Sequence, residues 1–140
     1  MTTSATPDLR QPIVMRCVRA DGEGPTLPVV LGYRSTDPYA VSASFGTTGG
    51  EIVWTFGRDL LRDGLSGPVG IGDVRVWPGA DLTGRDSLMV EFRSPDGELL
   101  VETSKAEVAN FVFRTLRLVP SGEETEHLDV DQMIDELLTV

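Results

Sequence analysis

One histidine and one cysteine, His127 and Cys17, limit the catalytic chemistry open to this 140-residue chain. Zinc sites draw on clusters of Cys and His, and a single copy of each does not make one. A nucleophile–histidine arrangement would have to recruit His127, which stands between Glu126 and Leu128 at the start of an acidic segment. A surface or helix-capping place suits it better than a triad. Gly70-Ile71-Gly72 resembles a phosphate loop only in composition. Such a loop needs a strand before the glycines and a helix after them, so that the helix N-terminus meets the anion. Here the glycines run into a strand-like stretch, and no Walker lysine follows. Asp59 and Asp63 lie one helical turn apart, but Arg58 and Arg62 stand beside them. That spacing predicts a solvated, salt-bridged face. EF-hand spacing is absent from the acidic tail. The residues predict a chain that is not an enzyme and needs no metal or cofactor.

Charge narrows the class further. The net charge is −10, of which residues 1–119 contribute −3 and residues 120–140 contribute −7 with no Lys or Arg. Phosphate backbones dominate nucleic-acid affinity, so an acidic surface makes nucleic acid an unfavourable ligand. The same charge disfavours direct binding to anionic membranes, leaving only an indirect association. Residues 1–12 lack the apolar core of a secretory signal, and no apolar run reaches the ~20 residues of a membrane span. A lone cysteine gives no intrachain disulfide. A cytoplasmic protein is the expectation.

Period-two alternation organises most of the rest. Residues 1–12 are small and polar and read as a flexible arm, followed by one domain over 13–140. Ile13, Met15 and Cys17 share a face, as do Val29, Leu31 and Tyr33, and then Val41, Ala43 and Phe45. Thr47-Thr48-Gly49-Gly50 predicts a hairpin into Ile52, Trp54 and Phe56. A short helix over Arg58–Asp63 is expected to stop at Gly64 in a left-handed conformation. A Gly/Pro-rich stretch leads to a strand with Val74 and Val76 on its core face. Leu88, Val90 and Phe92 follow, then a Ser94-Pro95-Asp96-Gly97 turn and a partner strand with Leu99 and Val101. Ser104-Lys105-Ala106-Glu107 fits a capping box that opens a helix bearing Val108, Phe111, Val112 and Leu116. A last amphipathic helix begins near Asp129 and carries Val130, Met133, Ile134, Leu137 and Leu138. The prediction is an α+β domain: a mostly antiparallel seven-stranded sheet or barrel, a short mid-chain helix and two C-terminal helices.

Two places stand out as surfaces for partners or subunits. Asp73, Arg75 and Trp77 share the face opposite Val74 and Val76, and a Trp in register with charges is either a buried second layer or an anchor. The last helix is too short to persist alone, so its stripe, including Met133 and Leu137, must dock. Its own domain is the favoured surface, with a neighbouring subunit or partner as the alternative.

Three stretches are similar to the signature of the SsgA/SsgB-like sporulation and cell-division regulators of actinomycetes. They are Leu31-Gly32-Tyr33-Arg34-Ser35-Thr36-Asp37-Pro38-Tyr39-Ala40-Val41, Val53-Trp54-Thr55-Phe56-Gly57-Arg58-Asp59-Leu60-Leu61-Arg62-Asp63-Gly64-Leu65 and Gly70-Ile71-Gly72-Asp73-Val74-Arg75-Val76-Trp77-Pro78. With the later turn and helices, the resemblance covers residues 27–140. Each stretch also reads as architecture, because Asp37-Pro38 builds a turn and Trp54 and Phe56 suit a core. The resemblance implies a non-enzymatic regulator that helps localise FtsZ and the septation machinery, with related SsgA-like proteins as further partners. It also implies a Whirly-like fold, a trimeric homo-oligomer and a place in the cytoplasm at the septum. The competing reading from that fold is a single-stranded nucleic-acid-binding protein that uses its sheet, which the charge opposes.

Overall fold

In the structure, a computed structural model that describes residues 7–22, 24–81, 83–128 and 130–138, the alternating segments join one antiparallel sheet. In chain order these are β1 (Leu9–Cys17), β2 (Thr26–Tyr33), β3 (Ala40–Thr47) and β4 (Gly50–Gly57), then β5 (Val69–Ile71), β6 (Val74–Ala80), β7 (Asp86–Ser94) and β8 (Gly97–Ser104). The strand order is β4-β3-β2-β1-β8-β7-β6-β5, two four-stranded meanders joined along β1 and β8. Helix α1 (Arg58–Gly64) links the meanders, and α2 (Lys105–Leu118) follows the last strand. A single turn, α3 (Glu124–His127), and a final helix, α4 (Val130–Leu138), complete the described chain.

The turns form where local chemistry requires them. Thr47 and Gly50 are closing partners of a two-residue loop, and Gly50 has φ +120°, a conformation that a Cβ would strain. Ser94 and Gly97 close the β7–β8 hairpin in the same way. The meanders face each other across the core. Phe92 on β7 meets Phe45 on β3 at 5.5 Å between ring centroids, edge to face. It also meets Trp54 and Phe56 on β4 at 5.1 and 6.3 Å. Across the β1–β8 seam Arg16↔Glu102 and Cys17↔Val101 are in register, and the Val18 amide donates to the Leu100 carbonyl at 2.9 Å. Thr103 Oγ1 donates to the Val14 carbonyl at 2.9 Å, so this short ladder and the core packing hold the sheet together. Helix α2 packs along the seam against β1, β7 and β8. Its Ser104 Oγ accepts from the Glu107 amide at 3.2 Å, the expected N-cap. Its buried Val108, Phe111 and Val112 contribute roughly 1.5–3 kcal/mol each. No helix among the described residues is long and apolar enough to cross a membrane.

The expected core faces are the observed ones from Ile13 and Met15 through Val29, Leu31, Val90 and Phe92 to Phe111, but on the edge strand β4 only Phe56 of the expected set is buried, with Trp54 half-buried and Ile52 52% exposed. Three further expectations change. The sheet has eight strands rather than seven, because Val69-Gly70-Ile71 pairs with Val76-Arg75-Val74. A three-residue strand with a central glycine is too short to show a period. The expected arm over 1–12 is shorter at its inner end, since Leu9 to Pro12 pair with Tyr33 to Val30. Gly64 does not adopt the left-handed conformation expected of a helix stop. It is the last residue of α1, where a Cβ would overlap the side chain of Val76. Glycine is needed there because α1 lies directly on β6.

Candidate partner-binding surface

Helix α1 is anchored at its first residue. Gly57 ends β4, and the Arg58 amide donates to the Tyr39 carbonyl at 2.7 Å, carrying the β3–β4 ladder into the helix. The Arg58 side chain then turns inward and is 1% exposed. Its Nη1 donates to Tyr33 Oη at 3.1 Å and to the carbonyls of Thr115 at 3.2 Å and Val119 at 2.6 Å. Those carbonyls belong to the end of α2, where a cation is favoured by the helix dipole. Nη2 lies 3.2 Å from Glu124 Oε2. Glu124 Oε1 in turn accepts from the Gly122 amide at 2.6 Å. Hydrogen bonds from its own amide, then Gly122 and Arg58, hold the Glu124 carboxyl below its ordinary value against the opposing effect of burial. Burial pushes the Tyr33 phenol up to about 12, and its hydroxyl donates to the Pro38 carbonyl at 2.9 Å. One guanidinium thus ties β2, α1, α2 and α3 together.

The segment after α2 is held at two further points. Arg62 Nη1 donates to Ser121 Oγ at 3.0 Å, and Tyr39 Oη lies 2.9 Å from Thr125 Oγ1. Arg62 also pairs with Asp59 at 3.3 Å and Asp63 at 3.1 Å, the solvated face expected of those carboxylates. Arg58 departs from that expectation by being buried. Nothing local to α1 distinguishes the two arginines; the Tyr33 and Glu124 partners do.

With α1 fixed, the two ends of the sheet frame a cleft. Trp54, Thr55, Phe56 and Gly57 of β4 form one wall, Leu60 of α1 lies at its base, and Ile71, Asp73 and Val74 of the β5–β6 hairpin form the other. Its volume is about 330 Å³, at the small end of ligand-sized pockets. Trp54 is half-buried, while Ile71 is 73% exposed at the mouth. Strand β4 pairs with β3 and with no other strand among the described residues. In the β3–β4 ladder, Val41↔Phe56, Ala43↔Trp54 and Phe45↔Ile52 fall in the same phase as the Arg58–Tyr39 hydrogen bond. In an antiparallel pair that phase alternates. The backbone groups of Glu51, Val53 and Thr55 therefore point away from β3, along the open edge.

The residues singled out from sequence are separated by the fold. Asp73 is in the β5–β6 turn and lines the cleft; its carbonyl accepts from the Arg93 amide at 2.8 Å. Arg75 and Trp77 lie on the outer face of β6, opposite Glu91 and Met89. Arg75 is exposed and Trp77 half-buried. Leu137 is 72% exposed on α4, beside Ile134 and Leu138 at 47% and 78%. The favoured docking of that stripe on its own domain is thus not what these three side chains do. Met133 is within α4, but its side chain lies outside the described residues. His127 is exposed at the end of α3. The cleft was not visible in the sequence because Trp54 and Phe56 read as core and Ile71 as loop; the edge position of β4 makes the first two one wall and the short strand β5 brings Ile71 to the other. Among the described residues, no three His, Cys, Asp or Glu side chains are grouped to hold a metal.

Known proteins share both sequence and architecture with this chain. Residues 27–124 match the family described as Streptomyces sporulation and cell division protein, SsgA. The sporulation-specific cell division protein SsgB of Kineococcus radiotolerans is 41% identical over 128 residues, covering 91% of this chain and 78% of that one. SsgB of Streptomyces coelicolor is 41% identical over 125 residues, covering 89% and 90%. The crystal structure of an SsgA-like sporulation-specific cell division protein from Thermobifida fusca superposes with a TM-score of 0.81 at 31% identity, covering 97% of this chain and 98% of that one. A structure from a study of SsgB mutations correlated with longitudinal cell division during sporulation of Streptomyces coelicolor gives a TM-score of 0.81 at 36% identity, covering 90% and 100%. On this sequence match, with an eight-stranded body that superposes on solved members, the chain belongs to the SsgA family of sporulation and cell-division proteins.

Proposed function

We propose that the chain is a non-enzymatic, oligomeric adaptor of sporulation-specific division that binds FtsZ or another septation protein and brings it to septum sites. The observation that carries this reading is apolar surface offered to partners in a chain of this family. Ile71 stands exposed at the mouth of the cleft, Ile52 and Val53 on the two faces of β4, and Ile134, Leu137 and Leu138 along α4. Contiguous exposed apolar groups mark protein-interaction sites more often than they mark catalysis. Oligomerisation would raise the effective concentration of weak contacts along a filament. The −10 charge opposes a nucleic-acid role for the sheet.

The test is co-sedimentation with polymerised FtsZ, together with fluorescence localisation of both proteins in sporulating cells. Enrichment in the polymer pellet and coincident septal foci are expected. A protein that stays in the supernatant at every salt and nucleotide condition, and is diffuse in cells, removes FtsZ as its direct partner.

A further inference from the structure

We propose that the open edge of β4 and the adjoining cleft form a strand-addition site for an extended partner segment. The segment carries a bulky apolar side chain with a Lys or Arg beside it. This rests on the adaptor reading and names the surface that reading needs.

Three features on the edge converge. The backbone N–H and C=O groups of Val53 and Thr55 face outward from an eight-residue strand, so they can form a ladder with an incoming chain. Long exposed edges are usually blunted by lysine, proline or a bulge, and β4 has no Lys or Pro and keeps one-to-one register from Gly50 to Gly57. The cleft lies on the inner side of that edge, where alternate side chains of an added strand would point. Its apolar walls are Trp54, Phe56, Leu60, Ile71 and Val74, and its volume of about 330 Å³ is large enough to admit a bulky side chain.

Charge selects among extended segments. Glu51 on β4 and Asp73 at the cleft are both exposed, and no Lys or Arg is among the residues that line the cleft. An acidic segment would meet like charge at both ends, whereas a cation next to the apolar anchor would meet Asp73. The occupant is therefore an apolar strand with basic character. Its ladder hydrogen bonds give affinity, and the anchor and cation give selectivity.

The experiment uses the full chain with Trp77→Phe, so that Trp54 is the remaining indole. The probe is a short synthetic peptide of alternating Thr and Val with a central Phe followed by Lys. Its controls are Phe→Ala, Lys→Glu and methylation of alternate backbone nitrogens. A saturable change in Trp54 fluorescence is expected, weakened by about tenfold or more in each control. Val53→Pro removes an outward-facing amide, a substitution that sheet edges tolerate, and Ile71→Asp places charge at the mouth. Each should weaken binding by about tenfold or more while circular dichroism and melting temperature stay near those of the parent.

Absence of a saturable signal overturns the proposal, as does unchanged affinity in both variants or equal binding of the N-methylated peptide. Sedimentation of the same variants reads the alternative occupant. If Val53→Pro dissolves self-association and leaves peptide affinity intact, the edge joins copies of this chain and the proposal falls. Failure of the parent to co-sediment with FtsZ while it still binds the peptide counts against that partner alone, so the two readings fail separately.

Discussion

Arg58 and Arg62 sit one turn apart on α1, each with a carboxylate within 3.3 Å, yet they differ in what they hold. Arg58 is sealed beneath Tyr33 and the C-terminal end of α2, with its guanidinium 5.4 Å from the Tyr33 ring centroid. The Arg62 side chain is 37% exposed and shares its pairs with water. Exposed pairs are worth about 0.2–1 kcal/mol because solvent already satisfies both ions. A buried cation has no such alternative, so removing it strands every group that faced it. The contrast teaches that charge spacing on a helix says little until the surroundings of each charge are known.

The largest expected effect breaks the buried side. Arg58→Ala should destabilise by about 3–5 kcal/mol, leaving the Thr115 and Val119 carbonyls and Glu124 without their cation. The melting temperature should fall on the order of 10 °C. Arg58→Met combined with Glu124→Gln should lose less than the sum of the single changes. An additive pair would mean that the two are not coupled.

Next comes the packing that sets α1 on β6. Gly64→Ala should cost about 1–3 kcal/mol in chemical denaturation, even though alanine is the better helix former, because the new Cβ meets Val76. Adding Val76→Ala should make the combined loss smaller than the sum of the two. A stabilising Gly64→Ala would show that α1 can move off the sheet at little cost.

Acid sharpens the comparison with a smaller effect. The Glu124 carboxyl in the folded state is held below its ordinary value of 4.5, so its contribution is complete above that pH. It is lost as pH falls through the lowered value. The melting-temperature gap between the parent and Glu124→Gln should therefore be widest near neutrality and narrow below about pH 4.5. A gap that widens on acidification would reverse the sign and exclude the Arg58 pairing as its source. The smallest effect belongs to Arg62→Ala, about 0.2–1 kcal/mol and diminished by salt. A loss as large as that of Arg58→Ala would erase the distinction between the two arginines.

Much of the architecture was legible because its causes are short-ranged. The inward set Val29, Leu31, Tyr33, Val41, Ala43 and Phe45 follows from strict alternation, and the Thr48-Gly49 and Pro95-Asp96 loops from turn chemistry. The Ser104 cap of α2 sits three residues from the amide it accepts. The candidate surface was much less legible. Asp73, Arg75 and Trp77 share a strand period, but Asp73 falls in a turn whose geometry joins it to Trp54 and Ile71, while the other two lie on the outer face of β6. Period two assigns a side to each residue of a strand; it does not say where the strand stops.

What the linear order of residues decided here are the strand faces, most turns and the amphipathic helices, since each depends on neighbours a few positions away. Folding in three dimensions decided the eighth strand, the burial of Arg58, the need for glycine at position 64 and the cleft between the sheet ends. Each of these depends on groups far along the chain: Arg58 meets Tyr33 and Val119 at separations of 25 and 61 residues. An arginine looks the same in sequence whether its partner is water or a buried carbonyl, and only the packed chain distinguishes them.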